Sequence, residues 1–340
     1  MFKKVFLIVG MMGMMKVKIK RGPDELPELF IPSYHRANNL KTVSLLIGKY
    51  SYPPSKITVF VDDQGGDYDV YARVCKEFGV NLTVFDLDEA RQEYDFVHRP
   101  SVSRRAVGCA RNQFWRYARD RNIDQFIVLD DDTLQIRYRP FGVCLSTGET
   151  AKPQQFWNGV CELADFQKAH HIGLVGLSQS GEMFGSVAHP EFRLWRKKVM
   201  NFSFYLTDFV QGGERGVQDE DTLQFAGMMN AGLWCGSLAS GIVINQAASA
   251  TQPGGLTDLY HEAKLLNKAL VGPICYPSAI RAEKQKMNGN RLHHRINYRF
   301  LMPCLMKAAP GVGGNIAWDT YQEDVPFTSR PARRVWKYNI

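Results

Sequence analysis

Short apolar runs alternate with amphipathic segments over most of this chain, and several of the runs end in acidic residues. Residues 29–32 (LFIP) open the series as a strand. A loop holding Ser33, Arg36 and two asparagines follows, and residues 40–46 then carry apolar side chains at helical spacing. Residues 57–61 (ITVFV) are a second strand, rich in β-branched residues, that runs straight into Asp62 and Asp63. A helix over 68–78 is stopped by Gly79, and residues 81–85 form a third strand. This strand-helix repeat predicts a parallel sheet with right-handed crossovers.

Residues 86–106 are polar and read as a loop, and 108–122 as a helix with Arg111 and Asn112 in its first turn. Then comes the stretch 126–133, FIVLDDDT. Its apolar half reads as a strand buried on both faces, delivering three carboxylates at its end. In an open α/β sheet ligands bind at the carboxyl ends of strands, so Asp130, Asp131 and Asp132 are expected to line a crevice. Alternation along the strand would put Asp130 and Asp132 on one side and Asp131 on the other. Acids converging without a basic neighbour repel each other, and a divalent cation with a taste for hard oxygen, magnesium or manganese, relieves that repulsion. A solvated strand-to-loop turn would use the same three residues.

Farther on, 154–170 reads as a helix, 172–177 as a buried strand, and 202–210 as a weakly alternating strand at the sheet edge. A glycine-rich turn, QGGERG, introduces a helix with Asp219, Glu220 and Asp221 in its first turn and with Leu223, Phe225 and Met228 or Met229 on its apolar side. Gly232 closes that helix. Favourable interaction with the helix dipole would by itself account for the acids. Another helix is expected over 257–270, and 281–307 is strongly basic, with seven lysines and arginines against the single acid Glu283.

Charge narrows the partners. A net charge of +8 attracts polyanions, whether nucleic acid, a membrane surface or nucleotide phosphates. The seven cysteines are scattered without a CxxC pair, which points to free thiols in a reducing compartment. The apolar run near the amino terminus is too short to span a bilayer and lacks a small-residue cleavage site. It reads as an extension before the first strand, with Met14 or Met15 as an alternative start.

IPSYHR, TVFVDD, GCARN, LDDDT and DEDTLQFAGMMNAG, in this order over residues 29–235, resemble the nucleotide-sugar glycosyltransferases of the A-type (GT-A) fold. The resemblance implies an α/β fold with a mostly parallel, Rossmann-type sheet flanked by helices over residues 29–270. An extension (1–28) precedes it, and a basic segment (271–340) completes the active site or the acceptor surface. Manganese or magnesium would sit on Asp130 and Asp132, joined by His294, although a histidine on a solvated basic surface is the alternative. A nucleotide sugar, UDP-linked by family frequency, would contact Pro32, Tyr34, Arg36, Asp62, Asp63, Arg105, Arg111, Asp130 and Asp131. The acid cluster would meet the acceptor hydroxyl: either Asp219 with Glu220 or Glu220 with Asp221 matches the family's acid pair, with Asp221 favoured as base and Glu220 next. Inversion or retention of configuration stays open.

The carboxy-terminal third, with its PGG loop, basic stretch and HHR, resembles the TET-associated glycosyltransferases of tailed phages. That implies a 5-hydroxymethylpyrimidine in DNA as acceptor. Basic residues between 281 and 307 would neutralise phosphates, and Tyr298, Phe300 and Trp336 would stack on bases. It also implies a cytoplasmic enzyme of a bacterial host, with no membrane or protein partner. Two other readings stand beside it: the same fold acting on a polysaccharide, lipid-linked sugar or protein hydroxyl, and a non-catalytic nucleic-acid-binding module. A pure polyanion binder gains nothing from carboxylates in its cleft. A nucleotidyltransferase would need an early glycine-rich phosphate loop, and IPSYHRANN is not one.

Overall fold

The computed structural model describes residues 20–97, 107–139, 149–179, 194–195, 198–209, 214–216, 219–238, 241–246, 264–285, 291–301, 305–306 and 316–317. Its strands begin with β1 (Glu28–Pro32), β2 (Ile57–Asp62), β3 (Asn81–Phe85), β4 (Gln125–Val128), β5 (Thr133–Arg139) and β6 (Glu149–Thr150). They continue with β7 (Leu174–Leu177), β8 (Leu194–Trp195), β9 (Ser203–Leu206), β10 (Cys235–Leu238) and β11 (Gly241–Gln246). Eight of them form one sheet in the order β3-β2-β1-β4-β9-β7-β10-β8, in which only β9 and β8 run against the rest. The GT-A resemblance implied this mostly parallel α/β sheet. β5 leaves it to pair with β11 and β6 in a small antiparallel sheet.

Alternate residues of the strands feed two cores. Leu29, Ile31, Val59, Ile127 and Phe204 pack on one face with Leu46, Tyr71 and Val160. These come from helices α1 (Lys41–Tyr50), α2 (Tyr68–Phe78) and, past two further helices described below, from Pro153–His170. Phe30, Phe60, Phe126, Val128 and Tyr205 pack on the other face with Phe114, Trp115 and Phe225. Burial on both faces explains why FIVL lacks polar positions, each such side chain contributing about 1.5–3 kcal/mol when removed from water. Phe30 sits at the centre, with the rings of Phe60, Phe114, Tyr117 and Phe126 at 4.9–5.7 Å.

Two expectations change. Residues 86–106 were expected as a loop, yet α3 (Leu87–Glu93) forms within them: Asp86 accepts a bond from Glu89 N at 2.8 Å and caps it, while Leu87 and Ala90 are buried. The strand expected at the sheet edge over 202–210 is the central β9, antiparallel between β4 and β7 and buried along its whole length. Its weak alternation reflects two covered faces. The basic stretch after residue 280 builds a hairpin, β12 (Ile280–Gln285) and β13 (Arg291–Ile296), packed on the helix Lys264–Cys275. Residues 98–106, residues 1–19 of the amino-terminal extension and Trp336 lie outside the described residues. Among the described residues no helix is long and apolar enough to cross a membrane, and Cys75, Cys109, Cys161, Cys235 and Cys275 are free thiols.

Because β1, β2 and β4 are parallel, their carboxyl ends share one edge of the sheet. Gly176 in β7 lets the returning chain pass close above it: a Cβ there would lie 2.2 Å from Val199 Cγ1. That crossing carries Lys198 and Asn201 toward the same edge.

Candidate active site

The strand β4 ends at Val128, so the two-residue alternation does not extend through the aspartates. Asp131 and Asp132 lie in a turn, and both face one guanidinium. Arg36 Nη1 donates to Asp131 Oδ1 at 2.6 Å and to Asp132 Oδ2 at 3.3 Å. Ser33 Oγ donates to Asp131 Oδ2 at 2.6 Å, and Tyr71 Oη braces the loop by meeting Ser33 Oγ at 2.8 Å and accepting from Arg36 N at 3.0 Å. The first turn of α1 holds the acidic turn from beneath: Thr42 N donates to Asp131 O at 3.1 Å, and Thr42 Oγ1 to Asp130 O. Asp131 is only 4 % exposed, and burial pushes its carboxyl up to about 6 against the opposing pull of Arg36 and Ser33. It serves as the internal anchor of Arg36.

Asp130 points elsewhere. Arg111 Nη2, from helix α4 (Val107–Asp120), donates to Asp130 Oδ1 at 2.8 Å, and Asn201 Nδ2 to Oδ2 at 3.3 Å. Arg36 and Arg111 thus both pair with the acids that follow β4.

Arg111 reaches a second set of acids. Its Nη1 lies 3.4 Å from both carboxylate oxygens of Glu214 and 3.4 Å from Glu220 Oε1. Glu214 belongs to the described segment 214–216, a turn that is clasped at several points. Glu214 N donates to Asn112 Oδ1 at 2.6 Å, and Asn112 Nδ2 to Glu214 O at 3.1 Å. Arg215 pairs with Asp95 at 2.9 Å, and Tyr94 Oη donates to Gly216 O at 2.7 Å. Burial pushes both Glu214 and Glu220 above the usual carboxylate range; Arg111 opposes this, while their mutual repulsion adds to it for Glu214. Gly108 makes the clasp possible, because a Cβ there would fall 2.1 Å from Tyr94 Oη. Gly108→Ala is expected to cost about 1–3 kcal/mol by overpacking, read as a lower urea midpoint at unchanged slope.

Helix α6 (Glu220–Asn230), which follows the 18-residue helix α5 (Pro153–His170), starts on Asp219 in the left-handed region at φ 66°. Asp219 Oδ1 accepts from Thr222 Oγ1 at 3.0 Å. Lys198 Nζ donates to Asp221 Oδ2 at 2.6 Å and to Thr222 Oγ1 at 3.2 Å, and lies 3.8 Å from Asp219. Burial alone would raise Asp221, but Lys198, with Lys268 and His294, outweighs it and brings the carboxyl down to about 2. His294, expected at the metal, lies at the foot of α6, with Nδ1 2.9 Å from Asp219 Oδ2 and Nε2 3.4 Å from Thr222 Oγ1. The Nδ1–Oδ2 approach is an ion-pair distance without hydrogen-bond geometry, and both atoms are buried.

The remaining expected donor contacts scatter. Pro32 is buried in register with Phe60, and the Tyr34 ring stacks against His35 with centroids 3.9 Å apart. Asp62 Oδ1 accepts from Gln64 N at 3.0 Å, a local turn, and Asp63 Oδ1 accepts from Leu87 N at 3.0 Å, tying β2 to α3. Arg105 lies outside the described residues. Sequence reasoning missed Glu214, Lys198 and Asn201. A lone acid between glycines was the available signal for Glu214; Lys198 was hidden in a basic run, and nothing local marked Asn201.

A divalent cation fits the residues in kind. Among the described residues no three His, Cys, Asp or Glu side chains are gathered to hold one. Magnesium and manganese, however, are commonly held by one or two carboxylates together with substrate phosphates, and Asp130 and Asp132 offer such oxygens.

No curated protein matches the chain in sequence. Among solved structures it is similar to the mannosyltransferase PcManGT from Pyrobaculum calidifontis in complex with GDP-Man and Mn2+, at 14 % identity over 81 % of this chain and 80 % of that one, with a TM-score of 0.44. It is also similar to glucosyl-3-phosphoglycerate synthase from Mycobacterium tuberculosis in complex with Mn2+, UDP and phosphoglyceric acid, at 12 % identity over 80 % and 90 % of the two chains, TM-score 0.41. The TET-associated glycosyltransferase profile matches residues 28–255, from β1 to beyond β11, and the chain belongs to that family of glycosyltransferases.

Proposed function

We propose that this glycosyltransferase moves a sugar from a nucleotide sugar, UDP-linked by preference, to the hydroxymethyl oxygen of a modified pyrimidine in DNA. The observation that carries the reading is the reach of Arg111, which touches Asp130 at the sheet edge and Glu220 at the start of α6. Donor-side and acceptor-side acids therefore border one space. Asp130 and Asp132 would hold manganese or magnesium, which when bound supplies Lewis-acid neutralisation of the departing diphosphate. Arg36 and Arg111, already at those carboxylates, are placed to turn toward phosphate oxygens.

For an inverting transfer a carboxylate must take the acceptor's proton. Glu220 suits this better than Asp221, the first choice from sequence. Asp221 is neutralised by Lys198, whereas Glu220 keeps 12 % of its side chain exposed and binds protons more tightly than an ordinary glutamate. Asp219 stays behind as the cap that seats His294.

The DNA acceptor is supported by the family and by charge. The hairpin β12–β13 is anchored beside the acids by His294, and it presents Arg281 and Arg295 at 68 % and 50 % side-chain exposure. Phe300, just beyond it, is 60 % exposed. Binding of hydroxymethylated duplex should weaken log-linearly with salt, by about 0.9 per phosphate neutralised. An affinity flat between low and moderate salt would remove DNA from the account. The decisive assay incubates the protein with manganese, a panel of nucleotide sugars and hydroxymethylcytosine duplex, followed by nucleoside mass spectrometry. A hexose or pentose mass on the modified base is expected; no nucleoside diphosphate release with any donor would sink the reading.

A further inference from the structure

Strands β4 and β9 pair antiparallel with Val128 facing Ser203, and the pairing stops there. Carried two residues further, the same register sets Asn201 opposite Asp130. From that point the Asn201 side chain makes the contacts in place of backbone. Its Oδ1 accepts from Asp130 N at 3.3 Å and from Phe202 N at 2.9 Å, and its Nδ2 donates to Asp130 Oδ2 at 3.3 Å. Two N–H donors on one side and a carboxylate on the other fix which end of the amide is oxygen. Asn201 is 3 % exposed, so solvent does not replace these partners.

The chain is strained to bring this about. Phe202 stands at φ 49°, in the left-handed region that residues with a side chain seldom occupy, and its ring is fully buried beside Phe156 and Phe204. Gly176 closes the other side: a Cβ there would fall 2.7 Å from Phe202 O. Backbone strain held in place by surrounding packing clusters at functional sites. Ending the ladder would not by itself require it.

We infer that Asn201 is a positioning residue for the donor side of the transfer: gripping Asp130 at both its backbone and its carboxylate, the amide sets the orientation in which that acid meets a divalent cation. This rests on Asp130 being a ligand of the cation. Asp130 needs such a hold, because β4 ends at Val128 and 29 % of the Asp130 side chain is exposed. An ionised carboxylate accepts at about four lone-pair sites, so taking up a cation does not require release of the amide. Groups that hydrogen-bond a metal's ligands typically account for about 10–100-fold in metal affinity.

The test needs no sugar and no acceptor. Binding of Mn2+ to the protein in the presence of UDP, with GDP in parallel, is followed by the electron paramagnetic resonance of the free ion. The thermal midpoint of each metal-free protein reads the folding cost separately. Asn201→Ala should weaken Mn2+ binding by about 10–100-fold. Asn201→Ser, whose hydroxyl keeps a polar group in the pocket but ends short of Asp130, should weaken it in the same direction, and this variant carries the test if the alanine protein does not fold. Wild-type Mn2+ affinity in whichever of these variants folds overturns the inference and leaves Asp130 as a ligand untouched. Wild-type affinity in Asp130→Asn, or no Mn2+ uptake by the wild-type protein with either nucleotide, would overturn the metal reading beneath it.

Discussion

Glu220→Gln is expected to lower kcat by a factor of about 10²–10⁴, the usual contribution of a positioned general base, with thermal unfolding nearly unchanged. The glutamine keeps the contact with Arg111 as an acceptor but cannot take a proton. Asp221→Asn should behave differently. Its carboxylate is spent on Lys198 and sits at about 2, too acidic to draw a proton from a hydroxyl. Removing it should cost stability, because Lys198 would lose its close partner, more than it costs turnover at saturating substrate. The pH profile separates the two further. A carboxylate whose affinity for protons is raised is inactive as a base until pH climbs past its own value, so the acid limb of kcat/KM should lie above the ordinary glutamate range. It should disappear in Glu220→Gln, whose residual rate is expected to be flat across that limb. Steady-state kinetics on hydroxymethylated duplex supplies each of these readings, and a full-rate Glu220→Gln enzyme would return the role to its neighbours.

Arg111→Met should be the most destabilising single change near the site, by about 3–5 kcal/mol, since one partner of a buried ion network is removed and the acids are left uncompensated. The sign of its pH dependence follows from Glu214, whose folded-state value is raised, by burial first, to about 8 from an unfolded value of 4.5. A carboxyl with a raised folded value binds more protons folded than unfolded between those limits, so its contribution to stability declines as pH rises through that window. Without Arg111 the native protonation persists to still higher pH. The Arg111→Met deficit should therefore be smallest near pH 5 and largest above pH 8, in urea unfolding at matched ionic strength. A deficit independent of pH would mean that Arg111 acts through packing alone.

Much of the α/β order was legible because it rests on local pattern: the runs at 29–32, 57–61 and 126–129 are apolar wherever two faces are covered, and Gly79 and Gly232 end helices in the left-handed region. What escaped depends on long-range packing. SFYL joins the middle of the sheet because β4 and β7 each needed an antiparallel neighbour, a fact written nowhere in those four residues. The acids were visible as clusters, but not their partners. Arg36 is 95 positions from Asp131, and Arg111 is 103 from Glu214. The GT-A resemblance put His294 with the metal at the sheet edge; the hairpin that carries it sets its ring against Asp219.

Asn112 and Arg111 are neighbours on one helical turn, the first gripping the backbone of the Glu214 turn and the second touching Asp130. That makes α4 a yoke. A small rotation about its axis would carry the guanidinium and the clasped turn together, so a displacement of Asp130 and one of the Glu214 segment are mechanically tied through a single helical turn.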